Sequence, residues 1–290
     1  MSPVRRILLF AAAVLVAGQA LAGPWLNNVE AAQKKAKSSH RLIFVDLFAD
    51  WCSWCHRFEE EVIPSQAFQS ATDNMVLLRL NTEDGRDGTK VARDYGISSL
   101  PTFIVLNEDL LMAGQIRGYA PANEFAKMLK DTIGRYADFQ KRADTEASLG
   151  KDYQKRLDLA KEFRERNGLA QSETRLSKLV AEPALPEKIR DESYYELALT
   201  QFLAKKYDDA QKTLKKFAGL QKQGDAFERS RLLVGDIYLS QGNLLAAANE
   251  YRSFKSTFPK SQYVHNVDIV LPQVEQQLRK QGNANAQSKK

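Results

Sequence analysis

The two cysteines of this chain, Cys52 and Cys55, lie between a segment patterned as a buried strand and a segment patterned as a helix. The chain has no other cysteine among its 290 residues, so no long-range disulfide within it can hold the fold together. A bridge across two intervening residues closes too short a loop to stabilise the folded state by much. The fold must therefore rest on a hydrophobic core, and the cysteine pair indicates chemistry.

Composition and length narrow the class of protein. Apolar residues make up 43% of the chain and charged residues 27%, which excludes a disordered, collagen-like or multi-span membrane protein. The length indicates two domains. Their charges differ, since residues 23–144 carry 15 basic and 17 acidic side chains and residues 145–290 carry 25 basic and 19 acidic ones. The second part would therefore associate faster with an acidic partner.

Residues 1–22 have the pattern of a secretory signal peptide. The pair Arg5–Arg6 precedes an apolar run over 7–17, and the small-x-small triplet Ala20–Ala22 follows. We expect cleavage before Gly23 and export to the periplasm. An uncleaved membrane anchor is the alternative, but the apolar run is short for a span.

Residues 23–142 alternate between strand and helix patterns, which is typical of an α/β domain. Four strands are predicted over 42–48, 75–80, 102–106 and 110–117, the last two joined by a hairpin turn. Helices are predicted over 25–37, 58–63 and 89–95, and a final helix begins after Pro121.

Residues 143–282 show only helical stripes, and the polar residues 283–290 are expected to form a disordered tail. The helical stretch contains an approximate repeat. Its key alanines, Ala210 and Ala247, lie 37 residues apart, and this resembles the tetratricopeptide repeat, whose period is about 34 residues. An ordinary helical bundle is the alternative interpretation.

The segment from Asp46 to His56 joins the predicted strand to a predicted helix and carries the cysteine pair. Cys52 would lie at the amino terminus of that helix, where free amide groups and the helix dipole stabilise a thiolate. Cys55 lies one turn further along, within reach of the first sulfur. The pair can therefore cycle between dithiol and disulfide, with Cys52 as the attacking sulfur and Cys55 as the resolving one.

Three elements in this order resemble the thioredoxin family over roughly residues 25–138. They are Asp46 on the strand, the Trp51-Cys52-x-x-Cys55 motif, and Leu100-Pro101-Thr102 before a later strand. The resemblance implies that Pro101 is cis and packs beside the disulfide, and that Leu100 offers backbone hydrogen bonds to a bound substrate chain. It also implies that Asp46 is a buried base for the inner thiol.

The chain departs from the family between its cysteines. Ser53-Trp54 replaces the family's Gly-Pro dipeptide, and the proline that kinks the helix after the second cysteine is absent. The dipeptide tunes the redox potential, whereas Asp46 favours the reducing or exchanging direction. Trp51 and Trp54 are candidate substrate contacts, with packing or surface aromatics as the alternative.

His56 adds a further alternative, because Cys52-x-x-Cys55-His56 is also the attachment signature of c-type haem. The buried strand before Cys52 and the Leu100-Pro101 element favour thioredoxin instead. In that interpretation His56 shares a helix face with Cys52, and its imidazolium would stabilise the thiolate. Half a zinc site is disfavoured, since no second cysteine pair exists and the other histidines are His40 and His265.

We interpret the chain as an exported thiol-disulfide oxidoreductase with an α/β thioredoxin-like domain and a helical, tetratricopeptide-like domain. No cofactor is expected beyond the Cys52–Cys55 disulfide. The expected partners are protein thiols and disulfides, a membrane or soluble thiol that donates electrons, and a protein bound by the helical domain, but no nucleic acid. The alternative is an interaction or chaperone protein in which the helical domain is the working part. We expect the first domain to act on small disulfides without the second.

Overall fold

The structure is a computed structural model that describes residues 25–287, with side chains described as far as Gln281. The predicted signal peptide lies outside these residues. Within them, no helix combines the length and the apolar composition that a membrane span requires.

Four strands form one mixed sheet: β1 (Ile43–Phe48), β2 (Val76–Asn81), β3 (Thr102–Leu106) and β4 (Met112–Arg117). Their order across the sheet is β2-β1-β3-β4. β1 and β2 are parallel, whereas β3 runs antiparallel to both of its neighbours, β1 and β4. The loops that follow β1, β2 and β4, and the loop that precedes β3, therefore all lie at the same end of the sheet.

Five helices cover the two faces of this sheet: α1 (Val29–Ser39), α2 (Ser53–Glu61), α3 (Gln66–Thr72), α4 (Asp87–Asp94) and α5 (Ala122–Asp144). α1 and α4 bury apolar side chains against one face. α2, α3 and α5 cover the other face, where a cluster of aromatic rings fills the space. The rings of this cluster are Phe44, Phe58, Phe68, Phe103 and Phe125.

The sequence pattern predicted all four strands but missed α3. α3 has only seven residues, too few for a period of 3.6 residues to stand out. Its start is set by Ser65, whose hydroxyl accepts the N–H of Phe68 at 3.2 Å. α2 begins at Ser53 with Cys52 as its N-cap, which is the helix start expected at the cysteine pair, although its apolar pattern becomes visible only from Phe58.

Seven more helices follow: α6 (Tyr153–Glu165), α7 (Leu169–Val180), α8 (Glu187–Leu203), α9 (Tyr207–Leu220), α10 (Asp225–Ser240), α11 (Leu244–Thr257) and α12 (Val264–Gln287). A short 3₁₀ turn (Glu146–Leu149) leads into them. α12 extends to Gln287, within the stretch 283–290 for which we predicted a disordered tail.

Three consecutive pairs of these helices, α6–α7, α8–α9 and α10–α11, bury small residues at one spacing. The first helix of each pair buries one: Ala160, Ala198 and Gly235. The second helix buries another, 12 residues later: Ser172, Ala210 and Ala247. Successive pairs are offset by 38 and 37 residues. Small residues at a crossing let the two helix backbones approach closely, so each pair packs in the same way.

Gly235 supplies a test of this packing. A Cβ at this position would lie 2.5 Å from the Tyr251 ring, whereas a Cβ at Gly134 in α5 would meet nothing within 4 Å. We expect Gly235→Ala to lower the free energy of unfolding by about 1–3 kcal/mol, because the buried ring must move. Gly134→Ala should raise it by about 0.5–1 kcal/mol through helix propensity. Chemical denaturation measures both, and an equal gain in both variants would contradict the close crossing.

Packing continues across residues 142 and 143, where we predicted the boundary between the two domains. α5 continues to Asp144, and the core beneath it includes Phe163 of α6. The Phe163 ring packs edge to face on Phe139 of α5, with centroids 4.9 Å apart. α6 therefore completes the hydrophobic core of the first domain.

Arg166 fastens the end of α6 to β4. Its Nη1 donates to the carbonyl oxygens of Met112 and Ala113, at 3.0 and 2.8 Å. Its own carbonyl oxygen accepts the N–H of Met112 at 2.8 Å, which covers part of an edge strand. Met112 begins β4, whereas Arg117 ends it beside the loop that precedes β3. This junction lies at the end of the sheet opposite the cysteine loop.

Candidate active site

The cysteine pair lies in the loop after β1 and at the start of α2. Cys52 is the N-cap of α2, with extended backbone, and its Sγ accepts the N–H of Cys55 at 3.2 Å. The two sulfurs are joined in a disulfide, and both residues are buried, with 4% and 2% of their surface exposed. In the reduced chain, free N–H groups of the first turn and the helix dipole favour a thiolate at Cys52.

Pro101 reaches the same end of the sheet because β3 runs antiparallel to β1. The Leu100–Pro101 peptide bond is cis, as the resemblance implied. The Pro101 carbonyl accepts the N–H of Gly118 at 2.9 Å, and this ties the loop before β3 to the loop after β4. Pro101 is buried, whereas Leu100 is only half-buried.

Asp46 lies on β1, beneath the helix that carries the cysteines. Its side chain shares a sheet face with Phe44, which α2 covers, and only 2% of the residue is exposed. Burial raises the pKa of Asp46 from 3.8 to about 7, since the charged form loses its hydration. Arg79 acts in the opposite direction on this pKa, and Glu59 raises it further. A carboxyl with a pKa near neutrality can exchange a proton at physiological pH.

Arg79 and Glu59 form a charged network with Asp46. The Arg79 Nε lies 3.2 Å from Asp46 Oδ2, without the alignment of a hydrogen bond. The guanidinium end instead binds Glu59 with two nitrogens, at 2.5 and 2.7 Å. This hydrogen bonding lowers the pKa of Glu59. Burial is the largest cause of the high Asp46 pKa, and Arg79, which also binds Glu59, only partly offsets it.

Sequence reasoning missed both members of this network. Neither Glu59 nor Arg79 was singled out from the sequence. A signal was present in both cases. Arg79 is a lone charge in an apolar strand, in register with Asp46, and Glu59 lies one turn after Cys55 on the same helix.

Each of the two tryptophans directly precedes a cysteine, Trp51 before Cys52 and Trp54 before Cys55. Trp51 is 69% exposed, and its indole N–H donates to Glu83 Oε1 at 2.8 Å. Trp54 is 51% exposed and packs beside Tyr119, from the loop after β4, with ring centroids 5.4 Å apart. Both rings are therefore exposed to a partner yet fixed by neighbours, and Glu83 and Tyr119 were not predicted.

His56 is exposed on α2 and engaged with backbone. Its Nε2 lies 2.8 Å from the carbonyl oxygen of Asp50, so a protonated Nε2 donates a hydrogen bond there. Among residues 25–287, no three His, Cys, Asp or Glu side chains are grouped so as to hold a metal ion.

Protein families and known proteins with similar sequences share the thioredoxin-like part of this chain. Residues 29–133 match a family model described as a thioredoxin-like domain. Thiol:disulfide interchange protein DsbD of Actinobacillus pleuropneumoniae is 28% identical over 103 residues, which are 34% of this chain and 18% of that protein. DsbD of Colwellia psychrerythraea is 33% identical over 109 residues, 36% of this chain and 18% of that protein. The chain thus spans about a fifth of the length of these relatives.

Solved structures match the same part of the chain. The oxidised C-terminal domain of Neisseria meningitidis DsbD is 16% identical, covering 38% of this chain and 99% of that one, with a TM-score of 0.34. A thioredoxin from Thermus thermophilus is 20% identical, covering 37% and 84%, with a TM-score of 0.33. The family match and the cysteine pair at the start of α2 agree in position, and residues 29–133 of this chain form a thioredoxin-like domain.

Proposed function

We propose that the chain is a thiol-disulfide oxidoreductase that reduces or exchanges disulfides of other proteins. The observation that carries this proposal is the Cys52–Cys55 disulfide at the amino terminus of α2, above a buried Asp46 whose pKa is about 7. The position of Pro101 in the loop before β3, at the same end of the sheet, supports it. The relatives named for thiol:disulfide interchange support the same chemistry.

In the proposed reaction, the reduced Cys52 thiolate attacks one sulfur of a partner's disulfide. A Cys52–partner S–S bond forms as the partner's own S–S bond breaks, and the partner's other sulfur leaves as a thiolate. The Cys55 thiolate then attacks Cys52 Sγ, which forms the Cys52–Cys55 disulfide and releases the second partner thiolate. The chain loses two electrons and the partner gains them, and a dithiol donor restores the reduced pair.

In this reaction Asp46 acts as the base for the Cys55 thiol. Cys55 lies inside the helix and is almost fully buried, so its thiol does not ionise readily. An ionised Asp46 accepts that proton, and Cys55 can then attack the mixed disulfide. Leu100 and the tryptophans, Trp51 and Trp54, would contact the partner chain. His56 would add positive charge near the Cys52 thiolate when protonated.

We place this reaction in the periplasm, with a membrane or soluble thiol as the electron donor. The basis is the signal-peptide pattern of residues 1–22, which lies outside the described part of the chain. Alkaline phosphatase fused after Ala22 provides the test, since its disulfides form only after export.

For the helical region we propose a tetratricopeptide-like array that holds a protein partner. Its support is the shared spacing of buried small residues in three helix pairs, because stacked pairs form extended binding surfaces. Its charge is unevenly placed. Four carboxylates and one lysine line an open cleft of about 490 Å³ between α8 and the start of α10, so the basic excess lies elsewhere. The carboxylates are Glu187, Asp191, Glu192 and Asp225.

Truncation separates the proposed roles. A chain ending at Glu182 keeps α6 and α7 and should reduce insulin within about twofold of the full chain, while it loses its preference for the physiological partner. A chain ending at Ala143 loses Phe163 from the core and should be less stable by about 3 kcal/mol or more. That loss of stability would place the end of the first domain beyond residue 143. Insulin precipitation and thermal unfolding measure both chains.

Three results would contradict these assignments. If the folded full-length chain does not reduce insulin, the proposed oxidoreductase activity is wrong. Loss of insulin reduction in a folded chain ending at Glu182 would place the later helices in the active site. Cys55→Ala variants of the full and the shortened chain would capture partner proteins as mixed disulfides. If both capture the same proteins, the later helices do not recognise partners, and the interaction-protein alternative fails as well.

A further inference from the structure

Trp54, the exposed ring between the two cysteines, is held by three side chains that the proposed mechanism does not use. Its ring lies 5.4 Å from the Arg57 guanidinium, which also lies 4.9 Å over the ring of Tyr119. Arg57 Nε donates to Glu61 Oε1 at 2.9 Å, and the Tyr119 hydroxyl donates to the other oxygen of Glu61. We call these four residues the aromatic patch.

The fold explains why the aromatic patch forms beside the disulfide. Trp54, Arg57 and Glu61 are spaced three and four residues apart, so they share one face of α2. Tyr119 comes from the loop after β4 and directly follows Gly118, whose N–H binds Pro101 and whose φ of 82° suits glycine. The patch therefore extends from α2, which Cys52 caps, to the loop after β4, which is hydrogen-bonded to Pro101.

The charges within the patch balance each other. Hydrogen bonds from Tyr119 and Arg57 lower the pKa of Glu61, so its carboxylate is ionised and neutralises the guanidinium. What the patch offers to a partner is then the surface of two rings that are already immobilised. Rings held in place lose little conformational entropy when a partner binds them.

We propose that the aromatic patch binds an apolar side chain, aliphatic or aromatic, next to the reacting cysteine of a protein partner. This inference rests on the proposed oxidoreductase function, because a partner sulfur must approach Cys52 and its neighbouring residues must then lie on the surface around it. Trp54 makes the contact. Tyr119, Arg57 and Glu61 are positioning residues that keep its ring beside the disulfide.

Two synthetic peptide disulfides that differ only in Phe or Ser beside the cysteine test the proposal. The wild-type chain should prefer the Phe peptide by about five- to tenfold in kcat/KM, mainly through KM. Trp54→Ala and Tyr119→Ala should reduce this preference to less than about twofold, whereas Trp54→Phe retains most of it. Leu220→Ala on α9, where the side chain is 50% exposed, is the matched control and should leave the preference unchanged.

Other outcomes overturn the proposal in distinguishable ways. A preference that survives both alanine variants, or a wild-type chain with no preference, overturns the role of the patch and leaves the oxidoreductase function intact. A third peptide carries Asp beside the cysteine. If the chain reduces it faster than the Phe peptide, Arg57 selects an acidic partner instead. A wild-type chain that does not reduce bis(2-hydroxyethyl) disulfide overturns the proposed function, and this inference with it.

Discussion

Replacing Cys52 with serine should lower the turnover of protein disulfides at least about 1,000-fold, because a serine hydroxyl does not replace a thiolate as the nucleophile. The measurement is insulin reduction with dithiothreitol as the dithiol donor. Cys52 is the N-cap of α2 and already accepts a backbone N–H through its sulfur. Serine also caps helices well, so the variant should fold and the loss should report chemistry alone.

The companion variant Cys55→Ala should have a different effect, since attack remains possible and resolution does not. A mixed disulfide should then accumulate, with one partner adduct per chain at Cys52 by mass spectrometry. The double variant Cys52→Ala/Cys55→Ala is the control and should carry no adduct. In the reduced wild-type chain, iodoacetamide should modify Cys52 before Cys55. Faster modification of Cys55, or adducts on Cys55 in Cys52→Ala, would reverse the two roles.

Asp46→Asn should slow resolution of the mixed disulfide by about 10- to 100-fold at pH 7, because the buried Cys55 thiol loses its base. The first attack by Cys52 should change little. Rapid-quench analysis of the mixed disulfide with glutathione separates the two steps. Asp131→Asn, an exposed aspartate on α5, is the matched control. Equal resolution rates in Asp46→Asn and wild type across pH 6–9 would leave Asp46 with a structural role only.

The pH profile sharpens the same test. The wild-type resolution rate should rise through a midpoint at about pH 7, where Asp46 ionises. In Asp46→Asn this rise should be missing. Glu59→Gln should move the midpoint to lower pH, since the Arg79 charge then acts mainly on Asp46. A midpoint that stays in place in Glu59→Gln would show that burial alone sets the pKa.

Stability should depend on pH through the same carboxyl. Its pKa is higher in the folded chain than in the unfolded one, so the folded state binds the proton more tightly between about pH 4 and pH 7. This contribution is fully present below the unfolded value and is lost as pH rises through about 7. A rise from 3.8 to about 7 corresponds to about 4 kcal/mol. Asp46→Asn should therefore become more stable relative to wild type as pH rises. Denaturation of both chains at pH 5 and pH 8 measures the difference in their free energies of unfolding.

The thioredoxin-like domain was predictable because its signals are local. The apolar run of β1, the hairpin between β3 and β4 and the cysteine pair at a helix start are all properties of short segments. α3 was not predicted, because a helix of seven residues is too short to show a helical period in its sequence. The packing of α6 beneath α5 was not predictable for another reason. α5 ends near the predicted position, but nothing in its own pattern shows that α6 completes the core beneath it.

The placement of the candidate site was predictable from the sequence: Cys52 and Cys55 one turn apart at a helix start, Asp46 on the preceding strand, and Pro101 before another strand. The surroundings that set the pKa of Asp46 appear only in the folded chain. Arg79 meets Asp46 because β1 and β2 are parallel and in register, and Glu59 reaches Arg79 because α2 lies over that face. A pKa depends on burial and on charges from several elements at once, and no single segment of sequence contains that sum. Tyr119 contacts Trp54 for the same reason. The loop after β4 and the start of α2 lie at the same end of the sheet only in the folded chain.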